Sequence, residues 1–210
     1  MSVEVQDLRA EDIPLAARTF IEGFRQEPMF DFIFRDRTEY ERLGAWMFGS
    51  WMRWAIRYGK IWVTPQCRAV AIWRKPGEGD MSFWSLIHTG IWQTPLRMTF
   101  SSYRRLMQFT VMMQEHRSRL MKNQPHWYCQ NIAVLPEFQG QGLGRALMRH
   151  ACDIADADNL ACYLETSLER NVDFYRRHGF ELREALDFAN WGIKPRVMIR
   201  PPQRDQKHSS

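Results

Sequence analysis

The chain has 210 residues, 45% of them hydrophobic and 13% aromatic, which suits one globular domain with a substantial core and excludes a disordered chain. Its formal net charge of +5 suits an anionic ligand such as a phosphorylated cofactor or nucleic acid, but no zinc finger, RNP-like aromatic motif or long Lys/Arg block supports nucleic acid. No apolar stretch approaches the ~20 residues of a membrane span, and no membrane partner is expected.

In chain order, "VEVQDL" alternates like a short first strand. The surrounding "MSVEVQDLRAEDIP" is too acidic and polar for a signal peptide, so a cytoplasmic location is expected. Glu11 or Asp12 begins a helix from about Pro14 to Phe24, with Leu15, Ala16, Phe20 and Phe24 on its apolar side. "RQEPMFDFIFRD" reads as a Pro-punctuated loop dense in phenylalanine. Thr38 reads as the N-cap of a long helix to about Tyr58, with Leu43, Trp46, Met47, Trp51 and Trp54 at helical spacing and Gly59 as its C′ residue.

"KIWVTP" and "CRAVAIWRKP" read as a hairpin turning near Pro65 and Gln66. Residues 77–123 change character to an all-helical insertion carrying Trp84, Trp92, Phe100, Phe109, Met112 and Met113. "HWYCQNIAVL" resumes the sheet, followed by a glycine stretch, a helix through about Ala157, and the strand "ACYLETS". A short helix from Asn171 to His178 is stopped by Gly179, and "FELREAL" and "RVMIRP" close the sheet before a frayed polar tail, 201–210. Cys67, Cys129, Cys152 and Cys162 are scattered, without C-x-x-C or His partners at metal-ligand spacing, so they are expected reduced, buried and metal-free. The pattern predicts an α/β domain over residues 1–200 with a mixed sheet.

The chemistry concentrates in "PEFQGQGLGRAL". No lysine follows the glycines, which removes a Walker A loop. Gly140, Gly142 and Gly144 lie two apart each time, which is the wrong register for a Rossmann fingerprint. The stretch from Gln139 to Gly144 fits Q/R-x-x-G-x-G/A instead. Backbone N–H groups from Gln141 to Arg145 can converge on a pyrophosphate at the positive end of the following helix, with Arg145 and Arg149 adding charge.

"NIAVLPEFQGQGLGRALM" resembles the acyl-CoA-binding motif of the GNAT (Gcn5-related N-acetyltransferase) superfamily. "YLETSLERNVDFYRRHGFE" resembles its second conserved region, and "GKIWV" with "AVAIWRKP" the preceding strands. The ordered combination is especially similar to the puromycin acetyltransferase-like branch. The resemblance implies a GNAT fold: a mixed, mostly antiparallel central sheet of about six to seven strands flanked by helices, with the helical insertion between the third and fourth strands. It implies acetyl-CoA or another acyl-CoA as co-substrate and no metal. Backbone groups of Ile132, Ala133 and Val134 would bond pantetheine and polarise the thioester carbonyl. Gln139, Gly140, Gln141, Gly142, Leu143, Gly144 and Arg145 would hold the phosphates, Asn171 would bond the cofactor, and Tyr175 would protonate the departing sulfur. The implied activity is N-acetylation of a small, partly apolar amine by direct attack in a ternary complex. Acylation of a peptide or protein amine, use of a longer acyl-CoA, and an acyl-CoA-binding regulatory module are the alternatives.

The general base does not transfer. Tyr128 and Gln130 stand where the superfamily can carry Glu or His, and neither is competent. Glu165, a charge in mid-strand, is the best local substitute; a structural carboxylate and a water chain compete with it, and His126 and Glu27 are outside candidates. Phe30, Phe32, Phe34, Trp54 and Tyr128 are expected to contact the acceptor, with ordinary helix core as the alternative reading, and Trp191 is placed to face the same cavity. The insertion is a candidate lid, dimer surface or cover for a longer acyl chain, with the protein a monomer or homodimer.

Overall fold

The computed structural model describes residues 3–77, 87–122 and 124–203. Seven strands, β1 (Gln6–Asp7), β2 (Gly59–Val63), β3 (Ala69–Arg74), β4 (His126–Val134), β5 (Ala161–Thr166), β6 (Glu181–Ala185) and β7 (Arg196–Arg200), form one sheet in the order β1-β2-β3-β4-β5-β7-β6. Every adjacent pair is antiparallel except β4 and β5, which run parallel. Among the described residues, helices α1 (Ile13–Gly23), α2 (Pro28–Ile33), α3 (Arg37–Tyr58), α4 (Thr94–Arg97), α5 (Phe100–Met121), α6 (Leu143–Ala157) and α7 (Arg170–Arg176) flank it. This is the expected α/β architecture. α4 and α5 lie in the insertion between the third and fourth strands.

The sheet separates two apolar layers. On one face α6 buries Leu147, Met148, Ala151, Cys152 and Ala155, an amphipathic stripe, against Trp62, Trp73, Trp127 and Leu164. On the other, Phe20 of α1 and Phe48 and Met52 of α3 pack with Ile61 and Ile72. All four cysteines are buried free thiols. No described helix is long and apolar enough to cross a membrane.

The expected loop at "RQEPMFDFIFRD" contains α2. Pro28 stands in the helix's first turn, where its fixed φ is pre-organised, and burial of Phe30 among Phe24, Tyr40 and Phe48 holds the turn in place. The cap of α3 is Asp36, whose Oδ1 accepts from Thr38 N at 2.9 Å and from Thr38 Oγ1 at 2.7 Å. Gly59 is required for proximity and not for a left-handed turn: its φ is −146°, and a Cβ there would stand 2.6 Å from Trp73 O. Trp84 and the start of the first expected insertion helix lie outside the described residues, as does the tail from 204. At the start of the tail, Gln203 is tied down, its N–H donating to Asp156 Oδ1 at 2.7 Å.

Two irregularities prepare the site. The β4–β5 ladder runs only from His126↔Ala161 to Cys129↔Leu164, after which β4 continues without a β5 partner. On the other edge Ile72 opposes Asn131 and Trp73 opposes Cys129, so Gln130 is a bulge residue. A bulge shifts the side-chain phase. Trp127 and Cys129 pack on the α6 face before it and Ile132 and Val134 after it, while Ala133 joins the α1–α3 core.

Candidate active site

Where β4 leaves β5 lies a cleft of about 680 Å³. Of the residues expected to hold a cofactor, Ile132, Ala133, Val134, Gln139, Gly140, Gly142, Leu143, Gly144, Arg145 and Asn171 line it, together with Tyr175. Gln141 does not; its Nε2 donates to Glu137 O at 3.2 Å. The glycines have two different jobs. Gly140 (φ 78°) and Gly142 (φ 82°) take left-handed backbone that a side chain resists. Gly144 instead lets α6 approach β4, since a Cβ there would meet Val134 Cγ2 at 3.3 Å.

Gly142 is the N-cap of α6 and gives no side-chain cap. The first bond of the helix is Ala146 N–H to Gly142 O at 3.0 Å, which leaves the N–H groups of Leu143, Gly144 and Arg145 available at the positive helix end. Arg145, Arg170 and Arg177 add cationic side chains around the same opening. A pyrophosphate fits this set of donors. Past Cys129, the edge of β4 facing β5 has no ladder partner among the described residues, so an amide-bearing arm can bond to it as a further strand would.

α7 brings Asn171 and Tyr175 to the cleft one turn apart. Asn171 Nδ2 donates to Thr166 Oγ1 at 3.3 Å, and the Tyr175 ring is wedged against Phe174 and Phe180, with centroids 5.2 and 5.9 Å away. Burial pushes the Tyr175 phenol well above its usual pKa, with Cys129 and Glu27 adding to the shift, so it holds its proton at neutral pH. Glu27, at the N-cap of α2, also lines the cleft. Burial raises its carboxyl to about 7, opposed by a hydrogen bond with Ser167 and by Arg170.

Glu165 is not among the cleft-lining residues. Burial raises its pKa, while Tyr128, Tyr163 and Arg117 favour its ionised form. Tyr128 stacks edge-on against Tyr163 at 5.6 Å, with the Arg117 guanidinium 4.6 Å above the Tyr128 ring centroid. Phe30, Phe32 and Phe34 are no exposed loop: all three are buried, Phe32 stacks on Trp191 at 4.7 Å, and Phe34 meets Tyr40 at 5.7 Å. Trp54 is buried between Tyr58 and the Arg74 guanidinium. The aromatic rings that do line the cleft are Phe24, Phe138, Phe174 and Tyr175.

Sequence reasoning passed over Arg170, Phe174 and His178, although they share one helical stripe with Asn171 and Tyr175. Gly23 left no signal. It lines the cleft because a Cβ on it would stand 2.8 Å from Ala133 Cβ, a contact set only when α1 meets β4.

Residues 105–182 match the family model described as an acetyltransferase (GNAT) domain. An uncharacterized N-acetyltransferase of Schizosaccharomyces pombe is 23% identical over 207 residues, covering 95% of this chain and 84% of the relative. A Corynebacterium glutamicum structure described as histone acetyltransferase HPA2 and related acetyltransferase has a TM-score of 0.67 at 21% identity, covering 98% of this chain and 99% of that one. Arylalkylamine N-acetyltransferase 2 from Aedes aegypti has a TM-score of 0.66 at 10% identity, covering 97% of this chain and 100% of that one. None of these matches bears out the puromycin acetyltransferase-like branch. The chain has the GNAT fold, and across residues 105–182 it matches that superfamily's acetyltransferase domain.

Proposed function

We propose that the protein is an acyl-CoA-dependent N-acyltransferase that moves an acetyl group from acetyl-CoA to the amine of a small molecule, by direct attack in a ternary complex. The observation that carries this reading is one cleft holding both an uncapped glycine turn fit for a pyrophosphate and a protonated phenol, Tyr175. Acetyl-CoA supplies an activated thioester. Leu143, Gly144 and Arg145 N–H groups hold its phosphates, and the free edge of β4 orients its arm. A backbone N–H on that edge stabilises the developing oxyanion.

The amine nitrogen bonds to the carbonyl carbon as the carbon–sulfur bond breaks. Tyr175 gives its proton to the leaving thiolate, and the Glu27 carboxylate takes the proton from nitrogen. Glu27 is favoured over Glu165 for this role because it lines the cleft and its pKa of about 7 suits a base at neutral pH. Tyr175→Phe should lower kcat by about 100-fold while the thermal shift with acetyl-CoA is retained, read by free-thiol release across a panel of amines and acyl-CoAs of increasing length. Tight acetyl-CoA binding with no thiol release from any amine would instead favour a binding module without turnover.

A further inference from the structure

The insertion presents an apolar tip to solvent. Trp92 is 48% exposed, Leu96 74% and Phe100 81%, all within the short run that leads through α4 into the first turn of α5. Scattered apolar side chains on a surface are ordinary, but a cluster of large ones marks a contact surface. The run is firmly held. Met98 and Ser102 are buried, and Thr99 N–H and Ser102 Oγ donate to the buried Glu39 of α3, both at 2.6 Å. α3 therefore holds Leu96 and Phe100 outward on a fixed support. The exposed stripe of α5 continues from Phe100 through Arg104 to Val111, at helical spacing.

The charge around this tip has one sign. From Ile87 to Gln114 the sequence holds no Asp or Glu, while Arg97, Arg104 and Arg105 fall within it. Burial and the charges of Arg35 and Arg104 lower the Arg105 pKa against the pull of Glu39, so cations crowd this corner. Arg97 lies over the Trp46 ring, 4.9 Å from its centroid, and Arg42 reaches Arg97 O at 3.4 Å. The acids of the neighbouring elements are engaged: Glu39 holds α5, Asp36 caps α3, and Asp31 and Glu41 face Arg37.

An apolar tip ringed by cations complements the surface of an anionic bilayer, where apolar side chains enter the acyl boundary and arginines meet phosphate. A second copy laid on the same face would set these arginines against their own counterparts. A nucleic acid would answer the arginines and leave Leu96 and Phe100 in water. The expectation of no membrane partner came from the lack of a spanning stretch, which binding at a surface does not need. We propose that the α4–α5 corner of the insertion docks the protein reversibly on an anionic lipid surface, with Trp92, Leu96 and Phe100 entering the interface and Arg97 and Arg104 on the headgroup phosphates. The inference stands apart from the acyltransferase reading and does not need it.

The test sediments the full chain with vesicles of phosphatidylcholine alone or of an equimolar mixture with phosphatidylserine. Partition onto the mixed vesicles should exceed that onto phosphatidylcholine by at least about tenfold and fall with added salt. Leu96→Ser combined with Phe100→Ser should lower it by about tenfold or more. Arg97→Gln combined with Arg104→Gln should lower it by about twentyfold at low salt. All four side chains are exposed, and unchanged melting curves report that both variants are folded. Equal partition onto the two vesicles, no partition onto either, or binding that neither variant weakens overturns the inference. Without vesicle binding, a dimer that the Leu96→Ser, Phe100→Ser variant dissolves in sedimentation velocity would give the face to a second copy. Binding of a DNA duplex that the arginine variant loses, again without vesicle binding, would give it to nucleic acid.

Discussion

In its proposed role as base, Glu27 trades stability for chemistry. A carboxyl whose folded-state pKa is about 7 against about 4.3 in an unfolded chain binds more protons folded than unfolded between those values. Its contribution to stability is therefore present in full below the unfolded value and is lost as pH rises through about 7. Glu27→Gln keeps the shape and removes the titration, so its melting temperature should gain on the wild type between pH 5 and pH 8. Activity should move the other way. Wild-type kcat/KM should rise through about pH 7, and the variant should be slower with that limb flattened, as measured by thiol release across the range. A variant that keeps the limb would assign the base elsewhere. Glu27 was visible in the sequence only as an outside candidate, because its burial depends on α2 folding back over the end of β5 through Ser167, a meeting of residues 140 positions apart.

Among the elements, long periodic ones were legible and short or paired ones were not. α3, α6 and β4 follow from their apolar spacing because each buries a continuous stripe. α2 was hidden: six residues are too few for periodicity, and proline mimics a loop. The bulge at Gln130 belongs to the pairing with β3, so β4 alone carries no mark of it. The glycine turn was legible because its two positive-φ residues are demanded locally, whereas the turning of Gln141 away from the cleft, toward Glu137 O, was not.

The insertion helix α5 is held by two carboxyls of unequal weight. Glu39, only 4% exposed, accepts from Thr99 N at 2.6 Å, Thr99 Oγ1 at 3.2 Å and Ser102 Oγ at 2.6 Å, fixing the first turn of α5 to α3. Glu184 of β6 accepts from Arg119 and contacts His116 near the other end, but Arg119 is 57% exposed. Removing a buried acceptor strands its donors, whereas an exposed pair is replaced by water. Glu39→Ala should cost about 2–3 kcal/mol in chemical denaturation and Glu184→Ala less than about 1 kcal/mol. Equal costs would mean that burial is not what sets the strength of the Glu39 anchor.

At the scale of the molecule, the split that makes the cleft is also the joint between the two halves of the sheet. β1–β4 and β5–β7 are each stitched by antiparallel ladders, yet only the pairs from His126↔Ala161 to Cys129↔Leu164 join the two groups. Side-chain ties cross the joint from the flanking helices. Arg200 of β7, nearly buried, makes bonds of 2.7 and 2.6 Å to Asp156 of α6, and Arg119 of α5 reaches Glu184 of β6 at 2.7 Å. Under the proposed function, a ligand arm laid along the free edge of β4 would add backbone bonds where the sheet lacks them, its phosphates would meet Leu143 to Arg145 and its sulfur would meet Tyr175. Binding should therefore couple to global unfolding. Acetyl-CoA at one hundred times its dissociation constant should add about 2.7 kcal/mol, or roughly 5–10 °C in melting temperature for a domain of this size. Added salt should shrink the gain at that same acetyl-CoA concentration, because part of the affinity comes from phosphate charge near Arg145, Arg170 and Arg177. A gain indifferent to salt, or one reproduced in full by pantetheine without its nucleotide, would place the binding energy in the strand edge and remove the glycine turn from the account.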